Sequence, residues 1–199
     1  QFSDDGTSAL TDLSFSKDGS LAAYAVSAGG ADWRTIYVMD TATGSLIDVP
    51  IQQVKFSAIA WWGNTGFFYS AYAPPASGSA LSAKTQHHQL LFHRLGTAQA
   101  EDELVFGGPE TPRRYIWGEV SEDENWLVIT AANTTSGNQL YLKDLRKADA
   151  PIITVVDNFA HDHSLVHSTA SAIYLLRNYG APNRRLIRLN PQQPELAHW

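Results

Sequence analysis

The stretch LSFSKDGSLAAYAV, residues 13–26, carries the pattern that decides the fold. Its middle, residues 17–20 (KDGS), is a hairpin signal between two apolar runs. Residues 21–26 then alternate with the two-residue period of a half-buried strand. A third strand is predicted at residues 35–40 and a fourth at residues 45–49, with a turn between them. This part of the chain therefore predicts four short antiparallel strands.

The same order of strands and turns recurs along the chain with a period of roughly 45 to 60 residues. In the second copy, strands are predicted at residues 58–61, 66–70, 90–95 and 103–106, with an insertion at residues 73–89. In the third copy they are predicted at residues 117–121, 126–130, 139–145 and 152–156. In the fourth they are predicted at residues 164–167, 172–176 and 185–189, with a fragment around 196–199.

Repeated units of four antiparallel strands indicate the blades of a β-propeller. We therefore predict an all-β chain with about four blades, at approximately residues 11–50, 54–108, 115–157 and 163–199. Together they form one partial propeller domain over residues 1–199. A stacked β-sandwich is the alternative, but a sandwich does not require the same internal order in every unit. No helical periodicity longer than two turns is present.

Charge and composition exclude several classes of partner. The net charge is −6 and the 14 basic residues are mostly scattered, so no nucleic-acid partner is expected. Arg184, Arg185 and Arg188 form one dense basic group, interpreted as a solvated strand edge with Arg184 and Arg188 on the same face. No apolar run reaches the roughly 18 residues of a spanning helix, so no membrane partner is expected. Cysteine is absent, which excludes disulfides and thiol chemistry.

A nucleophile motif is absent from the sequence. No Gly-x-Ser-x-Gly string occurs, and Ser79 after Gly78 lacks the second glycine, so no catalytic residue is predicted. The chain starts without Met and stops abruptly at Trp199, which suggests a segment of a longer polypeptide.

Three polar clusters are interpreted as turns and loops. His161, Asp162 and His163, with His167 nearby, resemble an open metal site but lack a spaced third ligand, so a polar turn is favoured and no metal or cofactor is predicted. His87 and His88 lie inside the predicted insertion and are interpreted as a solvated loop. The acidic run, Glu119 and residues 122–124, is interpreted as part of a hairpin turn.

Several segments match one known family, and they fall in order over most of the chain: residues 30–33 (GADW), 54–57 (VKFS), 60–61 (AW), 66–72 (GFFYSAY), 92–99 (FHRLGTAQ), 101–102 (ED) and 138–145 (NQLYLKDL). In these segments the chain resembles the prolyl oligopeptidases, which are proline-specific serine peptidases. Residues 93–97 are similar to the oligopeptidase B type as well, which stays open as an alternative. The GADW and VKFS segments look more like the prolyl type.

The resemblance implies a seven-bladed propeller that caps an α/β-hydrolase domain carrying a Ser, Asp and His triad, of which this chain supplies about four blades. The catalytic domain would lie outside these 199 residues. The implied role is size selection, admitting short proline-containing peptides for cleavage after proline. The implied compartment is the cytoplasm, with the periplasm as the alternative. A stand-alone propeller scaffold that binds proteins is the competing function.

The resemblance also names candidate substrate-binding residues. Phe56 matches the phenylalanine that helps line the apolar substrate pocket in the family, although it could equally be a core aromatic residue. Tyr115 and Thr134 fall near two further pocket positions but differ from the residues familiar there. Ala131 stands where some members carry a substrate-contacting arginine.

Two expectations concern regions outside the strands. Residues 73–89 are expected to be mobile and to face the hydrolase domain, because their small and proline-rich sequence cannot bury enough apolar surface. An open arc of blades leaves a face uncovered at each end, so the chain is expected to self-associate through its terminal blades. Leu21, Ala23 and Val26 at one end and Ile173, Leu175 and Leu186 at the other are the candidate contact residues.

Overall fold

A computed structural model describes residues 6–73 and 86–199, and these residues confirm the all-β prediction. Two short 3-10 turns, Gln99–Glu101 and Leu196–His198, are the helical elements of this part of the chain. Most of the predicted insertion, together with Ser79, lies outside the described residues. The chain divides into two compact units, Gln1–Trp117 and Gly118–Trp199, which are described in turn.

The first unit contains one antiparallel sheet. Its strands are β1 (Ser8–Phe15), β2 (Leu21–Ala28), β3 (Arg34–Asp40), β4 (Ile51–Val54), β5 (Ala60–Trp62), β6 (Gly66–Ala71), β7 (Gln89–Arg94) and β8 (Glu103–Gly107). Their order in the sheet is β1-β2-β3-β4-β6-β7-β8, and β5 pairs with β6. Strand β4 therefore joins two groups of strands, since it pairs with β3 on one side and with β6 on the other.

The fourth strand predicted at residues 45–49 is wrong. Pairing there is limited to a bridge between Met39 and Leu46, and the strand that pairs with β3 is β4. Two features interrupt the predicted strand. Pro50 has no N–H to donate. The Asp48 carboxylate turns inward, where Oδ2 lies 3.1 Å from Nε2 of His93.

The core of the first unit forms where side chains of the two strand groups meet. Tyr69 and Phe67 of β6 are almost fully buried, and the Trp61 and Phe67 rings pack edge to face at 5.3 Å. The indole N–H of Trp61 donates to the Ser14 carbonyl at 3.0 Å, which ties β5 to β1. The full cluster is Ala23, Ala25, Ile36, Val38, Ile51, Val54, Ile59, Trp61, Phe67, Tyr69 and Ala71.

The second unit contains two antiparallel sheets. One sheet has the order β12-β11-β10-β9, and the other has the order β13-β14-β15. The strands are β9 (Tyr115–Val120), which begins in the first unit, β10 (Trp126–Ala132), β11 (Asn138–Asp144), β12 (Ile153–Val156), β13 (His163–Thr169), β14 (Ala172–Arg177) and β15 (Arg185–Leu189). Apolar side chains of both sheets share one core, which includes Val128, Leu140, Leu142, Ile173, Leu175 and Leu189. The strand fragment predicted around 196–199 is a 3-10 turn instead.

The predicted hairpin turns are confirmed, and the same hydrogen-bonded loop occurs in both units. In the first, Oδ1 of Asp18 accepts from the Ser16 hydroxyl and from the Ser20 N–H. In the second, Oδ1 of Asp123 accepts from the Ser121 hydroxyl and from the Asn125 N–H. Since these bonds favour the ionised form, the pKa of Asp18 falls below its usual range. Residues 122–124 of the acidic run are thus in a turn, as predicted, whereas Glu119 lies in the preceding strand, β9.

The predicted contact faces are partly wrong, because Ala23, Ile173 and Leu175 are fully buried in the two cores. Leu186 is exposed, as expected. The apolar surface of the first unit lies on the opposite face of its first strands. There, Leu10, Leu13 and Phe15 of β1 are each about half exposed, and the Tyr24 and Tyr37 rings stack beside them at 5.4 Å. We call Leu10, Leu13, Phe15, Tyr24 and Tyr37 the outer face.

Arg184 also departs from its prediction. It precedes β15 in a turn with a φ of 62°, and its guanidinium pairs with Asp162 at 3.3 Å. The alternation that would place it on one face with Arg188 therefore does not apply to it. Among the described residues, no helix is long and apolar enough to cross a membrane.

Candidate functional site

Phe56 stands on a strained turn immediately after β4. Its φ is 52°, in the left-handed region that a bulky side chain rarely adopts, and its side chain remains 42% exposed. Strain of this kind persists only where the surrounding contacts hold the backbone in place. The exposure favours the surface role over the alternative of a core aromatic residue.

Tyr115 meets Phe56 at the start of β9. The two rings pack edge to face with centroids 5.2 Å apart and an interplanar angle of 86°. Tyr115 is 43% exposed, so the pair presents two partly open aromatic surfaces side by side. Edge-to-face packing is the favoured geometry for aromatic pairs and holds each ring in a defined orientation. We call these two rings the aromatic pair.

Lys55 supports the aromatic pair from one side. Its Nζ lies 5.0 Å from the centroid of the Phe56 ring and 5.1 Å from that of Trp33. The same ammonium pairs with Asp32 at 3.3 Å, and the Lys55 side chain is mostly buried. A cation over two ring faces, held by a carboxylate, restricts the rotation of Phe56.

His88 holds the two backbone segments that carry the aromatic pair. Its Nε2–H donates to the Lys55 carbonyl at 2.8 Å, and its Nδ1 accepts from the Ile116 N–H at 2.9 Å. Lys55 precedes Phe56 and Ile116 follows Tyr115, so one imidazole fixes both segments. The ring is fully buried and stacks on Tyr72 at 4.5 Å.

The prediction that His88 lies in a solvated loop is therefore wrong. Leu90 and Phe92 of β7 are both buried, and the same two-residue alternation continued backwards places His88 on their side of the strand. That alternation was the available sequence signal. The interpretation as loop followed instead from the composition of the neighbouring residues.

The contacts of His88 also set its charge. Burial lowers the pKa of His88 to about 4, against a smaller opposing effect of the bond to Lys55. Because Nδ1 accepts a hydrogen bond from an N–H, the ring is the neutral tautomer with its proton on Nε2. Protonation at Nδ1 would set two donors against each other and break the link to Ile116.

Ser70 adds a second anchor under the aromatic pair. Its hydroxyl donates to the Ile116 carbonyl at 2.7 Å, and its N–H donates to the Ser57 hydroxyl oxygen at 2.7 Å. Gly107 closes the site below, where a Cβ would lie 2.5 Å from the His88 carbonyl oxygen. The backbone on both sides of the aromatic pair is thus fixed by buried groups.

Thr134, the third candidate, belongs to the second unit. It is exposed, and its hydroxyl donates to the Ser136 carbonyl at 2.9 Å within a turn. Ala131 is 1% exposed near the end of β10. Within the first unit the structure brings Phe56 and Tyr115 together, and Thr134 remains a prediction by resemblance.

A second buried histidine, His93, lies five residues further along the chain and has different partners. The His93 ring, in β7, bonds to Asp102 at 2.7 Å through Nδ1 and to Asp48 at 3.1 Å through Nε2. Burial acts to lower the pKa of His93, but the hydrogen bonds and charges of the two carboxylates outweigh it and raise the pKa. Tyr69 donates to Asp102 at 2.6 Å, so these residues form one connected buried network.

The histidine cluster of the second unit is not assembled as a metal site. His161 packs edge to face against Tyr179 at 4.8 Å, and Asp162 bonds to Gly137 N–H and to Asn178. His163 begins β13 and is 3% exposed, so the interpretation of this residue as part of a polar turn is wrong. Across the part of the chain that the structure describes, no group of three or more His, Cys, Asp or Glu residues is arranged to hold a metal ion.

Comparison with known proteins identifies the family to which the chain belongs. The family model described as "Prolyl oligopeptidase, N-terminal beta-propeller domain" matches residues 1–199. A prolyl endopeptidase from Elizabethkingia miricola is 45% identical over the whole chain, which covers 28% of that protein.

Two solved structures extend the comparison. A chain from a structural study of two prolyl endopeptidases superposes with a TM-score of 0.85 at 30% identity, covering 94% of this chain and 26% of its own length. Prolyl oligopeptidase B from Galerina marginata, bound to a 25mer macrocyclization substrate, gives a TM-score of 0.87 at 27% identity, covering 96% and 29%. The chain thus spans less than a third of the length of these relatives, and it belongs to the prolyl oligopeptidase family as an N-terminal β-propeller domain.

Proposed function

We propose that this chain is the gating part of a proline-specific serine endopeptidase that hydrolyses short peptides after proline. The propeller would select substrates by size and contribute the aromatic pair to the substrate pocket, while the Ser, Asp and His triad would come from an α/β-hydrolase domain of the same polypeptide. Relatives named prolyl endopeptidases support the activity. The absence of a Gly-x-Ser-x-Gly string in these 199 residues supports the division of labour.

The observation that carries the proposal is the exposure of two oriented aromatic rings on a rigidly held backbone. Phe56 and Tyr115 keep 42% and 43% of their surface open. Proline is a compact apolar residue, so partly open rings held at a fixed angle suit contact with it. His88, Ser70 and Lys55 supply the rigidity that keeps the rings in place before a peptide arrives.

Substitution of each ring in the complete polypeptide tests the proposal. Phe56→Ala should lower kcat/KM for a chromogenic proline peptide by about 10- to 100-fold, since burying a phenylalanine side chain is worth ~1.5–3 kcal/mol. Tyr115→Ala should act in the same direction. Phe15→Ala removes an aromatic side chain that is 55% exposed on the outer face, so it serves as the matched control. Equal kcat/KM for Phe56→Ala and Phe15→Ala would contradict the proposal.

The 199-residue chain alone should not release the chromophore, because it encodes no nucleophile motif. Release that a serine-directed inhibitor blocks would overturn this expectation.

Thr134 is the third candidate for the substrate pocket. In the complete polypeptide Thr134→Ala should lower kcat/KM by less than Phe56→Ala, since it removes less apolar surface.

The competing function is a stand-alone propeller that binds proteins. The reading frame beyond residue 199 separates the two functions: a Gly-x-Ser-x-Gly string followed by Asp and His supports the peptidase, and further repeats followed by a stop codon support the scaffold. Peptides with Arg or Lys before the cleaved bond test the oligopeptidase B alternative.

We further propose that the strands form about four blades of a seven-bladed ring. Expressed alone, the chain would self-associate through the outer face, because an uncovered apolar sheet face favours association. The cytoplasm remains the proposed compartment, with the periplasm as the alternative, and cell fractionation distinguishes them.

A further inference from the structure

A cavity of about 920 Å³ opens in the second unit, apart from the aromatic pair. Its walls come from the end of β12, the start of β13, the end of β14, strand β15 and the last residues of the chain. The residues around it are Val156, Asn158, Ala160, His161, His163, Arg177, Tyr179, residues 185–188, Ala197 and Trp199. Volumes of roughly 300–1,000 Å³ are typical of ligand sites.

Arg177 is the most unusual residue of this cavity. It is 8% exposed, and its buried Nε has no hydrogen-bond partner among the described residues. The guanidinium lies 4.4 Å from the Tyr179 ring centroid and 4.7 Å from that of Trp199. An arginine does not lose its proton in a protein, so a buried guanidinium without a counter-charge is costly. Burial, followed by the charge of Arg185, lowers the pKa of Arg177.

Two further nitrogen-bearing side chains lie in the same row. Across the sheet, His163 of β13 pairs with Arg177, and Arg177 pairs with Arg185 of β15. His163 is 3% exposed, and neither of its ring nitrogens has a partner in the described part of the chain. Burial, followed by the charge of Arg177, lowers the pKa of His163 to about 4, so the like charges that face each other across neighbouring strands are those of Arg177 and Arg185. Such a pair is destabilising, and an anion between the two guanidinium groups would relieve it.

No acidic side chain balances this row. None of the described residues that line the cavity is Asp or Glu. Asp162, next to His163, is already engaged: it accepts from the Gly137 N–H at 2.7 Å and from Asn178 at 3.1 Å, and it pairs with Arg184 at 3.3 Å. The cavity therefore combines unpaired donors with an excess of positive charge.

We infer that this cavity is an anion site, which binds a carboxylate or phosphate group between Arg177, Arg185 and His163. The planar fork of arginine matches the paired oxygens of either group. Tyr179 and Trp199 hold the Arg177 fork from its faces and leave its N–H edge to donate. The volume accommodates an organic anion as well as an inorganic one.

The same chemistry could come from two sources, a free anion or a carboxylate side chain elsewhere in the same polypeptide. Calorimetric titration of inorganic phosphate into the complete polypeptide, with ionic strength held constant by NaCl, tests the first source. A crystal structure of that polypeptide grown without phosphate tests the second, by asking whether a carboxylate oxygen lies within about 3.2 Å of Arg177 or His163.

Two variants and a matched control locate the effect. Arg177→Gln should weaken phosphate binding at least about 10-fold, and the exposed Arg185→Gln, which keeps the buried Arg177 and His163, should weaken it by about 3- to 10-fold. Arg94→Gln removes the same charge at the exposed end of β7, outside the cavity, and should leave binding unchanged. Far-UV circular dichroism checks that each variant is folded.

The titration and the crystal structure together distinguish a free anion, an internal carboxylate and no anion site. Saturable phosphate binding that Arg177→Gln weakens supports a free anion, and a carboxylate on Arg177 or His163 in the crystal supports the internal source. In the internal case Arg177→Gln should lower Tm by several degrees more than Arg94→Gln. Phosphate binding that is equal in both variants would overturn the inference, and so would a cavity that neither binds phosphate nor holds a carboxylate.

Discussion

His88 and His93 are both fully buried in the first unit, one just before β7 and one within it, yet their surroundings give them opposite behaviour. His88 faces a backbone carbonyl and a backbone N–H, and its pKa falls to about 4. His93 faces two carboxylates, and its pKa rises. Burial opposes charge in both, so the partners decide the outcome. His88 fixes the two backbone segments of the candidate site, and His93 links the carboxylates of Asp48 and Asp102 to β7.

Removal of His93 should produce the largest loss of stability. His93→Leu leaves the carboxylates of Asp48 and Asp102, each 2% exposed, without their shared partner. The expected cost is about 3–5 kcal/mol in the free energy of unfolding, as for other broken buried ion pairs. Urea unfolding at pH 7 measures it. His167→Leu is the control, because it removes an exposed pair with Glu122 and should cost less than about 1 kcal/mol. Equal losses in the two variants would contradict the charged network.

Removal of His88 should cost less stability but should reach the candidate site. His88→Leu leaves the Lys55 carbonyl and the Ile116 N–H unpaired, at a cost of about 2–3 kcal/mol by the same measurement. In the complete polypeptide kcat/KM for the proline peptide should also fall, since both segments that carry the aromatic pair loosen. His88→Gln retains a donor and an acceptor and should restore part of both losses. A stable His88→Leu variant with unchanged kcat/KM would show that the two hydrogen bonds of His88 do not position the rings.

The contributions of the two histidines to the free energy of unfolding should change in opposite directions with pH. The folded pKa of His88, about 4, lies below its ordinary 6.5. Between these values the unfolded chain binds more protons, so the contribution of His88 is complete above pH 6.5 and is lost as pH falls towards 4. His93 has a raised pKa, so its contribution is present below pH 6.5 and is lost as pH rises through the folded value.

Unfolding of the wild type and of His88→Gln at pH 7 and pH 4.5 measures this term. The stability advantage of the wild type should shrink by about 2 kcal/mol at the lower pH. Histidines common to both proteins, including His163, cancel in the difference. An advantage that grows at pH 4.5 would mean that His88 is charged in the folded state.

A surface substitution, Phe15→Glu, should have the smallest effect on the free energy of unfolding. Phe15 is 55% exposed on the outer face. Phe15→Glu should change the free energy of unfolding by no more than about 0.5 kcal/mol. It should, however, lower the apparent mass of the 199-residue chain in light scattering, if the outer face mediates self-association. Lys17→Gln, on the neighbouring exposed turn, also makes the net charge one unit more negative and is the control for charge. An unchanged apparent mass for Phe15→Glu would show that the outer face does not mediate self-association.

The sequence predicted most strands because their alternation and turn residues are local signals. Its error at residues 45–49 arose from a distant contact, the attraction of Asp48 to His93 on β7. The error at His88 had a different origin, because the local alternation with Leu90 and Phe92 indicates a buried position, whereas the loop interpretation rested on the composition of the neighbouring residues. Ala23 was assigned to the wrong face for a related reason: alternation separates the two faces of a strand without saying which one is covered.

The resemblance predicted Phe56 and Tyr115 as site residues, but it did not predict how their rings are arranged. Their edge-to-face contact depends on the left-handed backbone at Phe56, for which the residue type gives no signal. Arg177 shows the reverse case, since it ends an ordinary alternating strand and its isolation from carboxylates emerges only from the cross-strand pairing.

The central claim is that the aromatic pair of this propeller domain contacts the peptide to be cleaved. A crystal structure of the complete polypeptide with a bound peptide that ends in proline tests it most directly. The account predicts carbon atoms of the proline residue within about 4.5 Å of the Phe56 or Tyr115 ring, the distance of an apolar contact. A bound peptide whose proline contacts neither ring would contradict it.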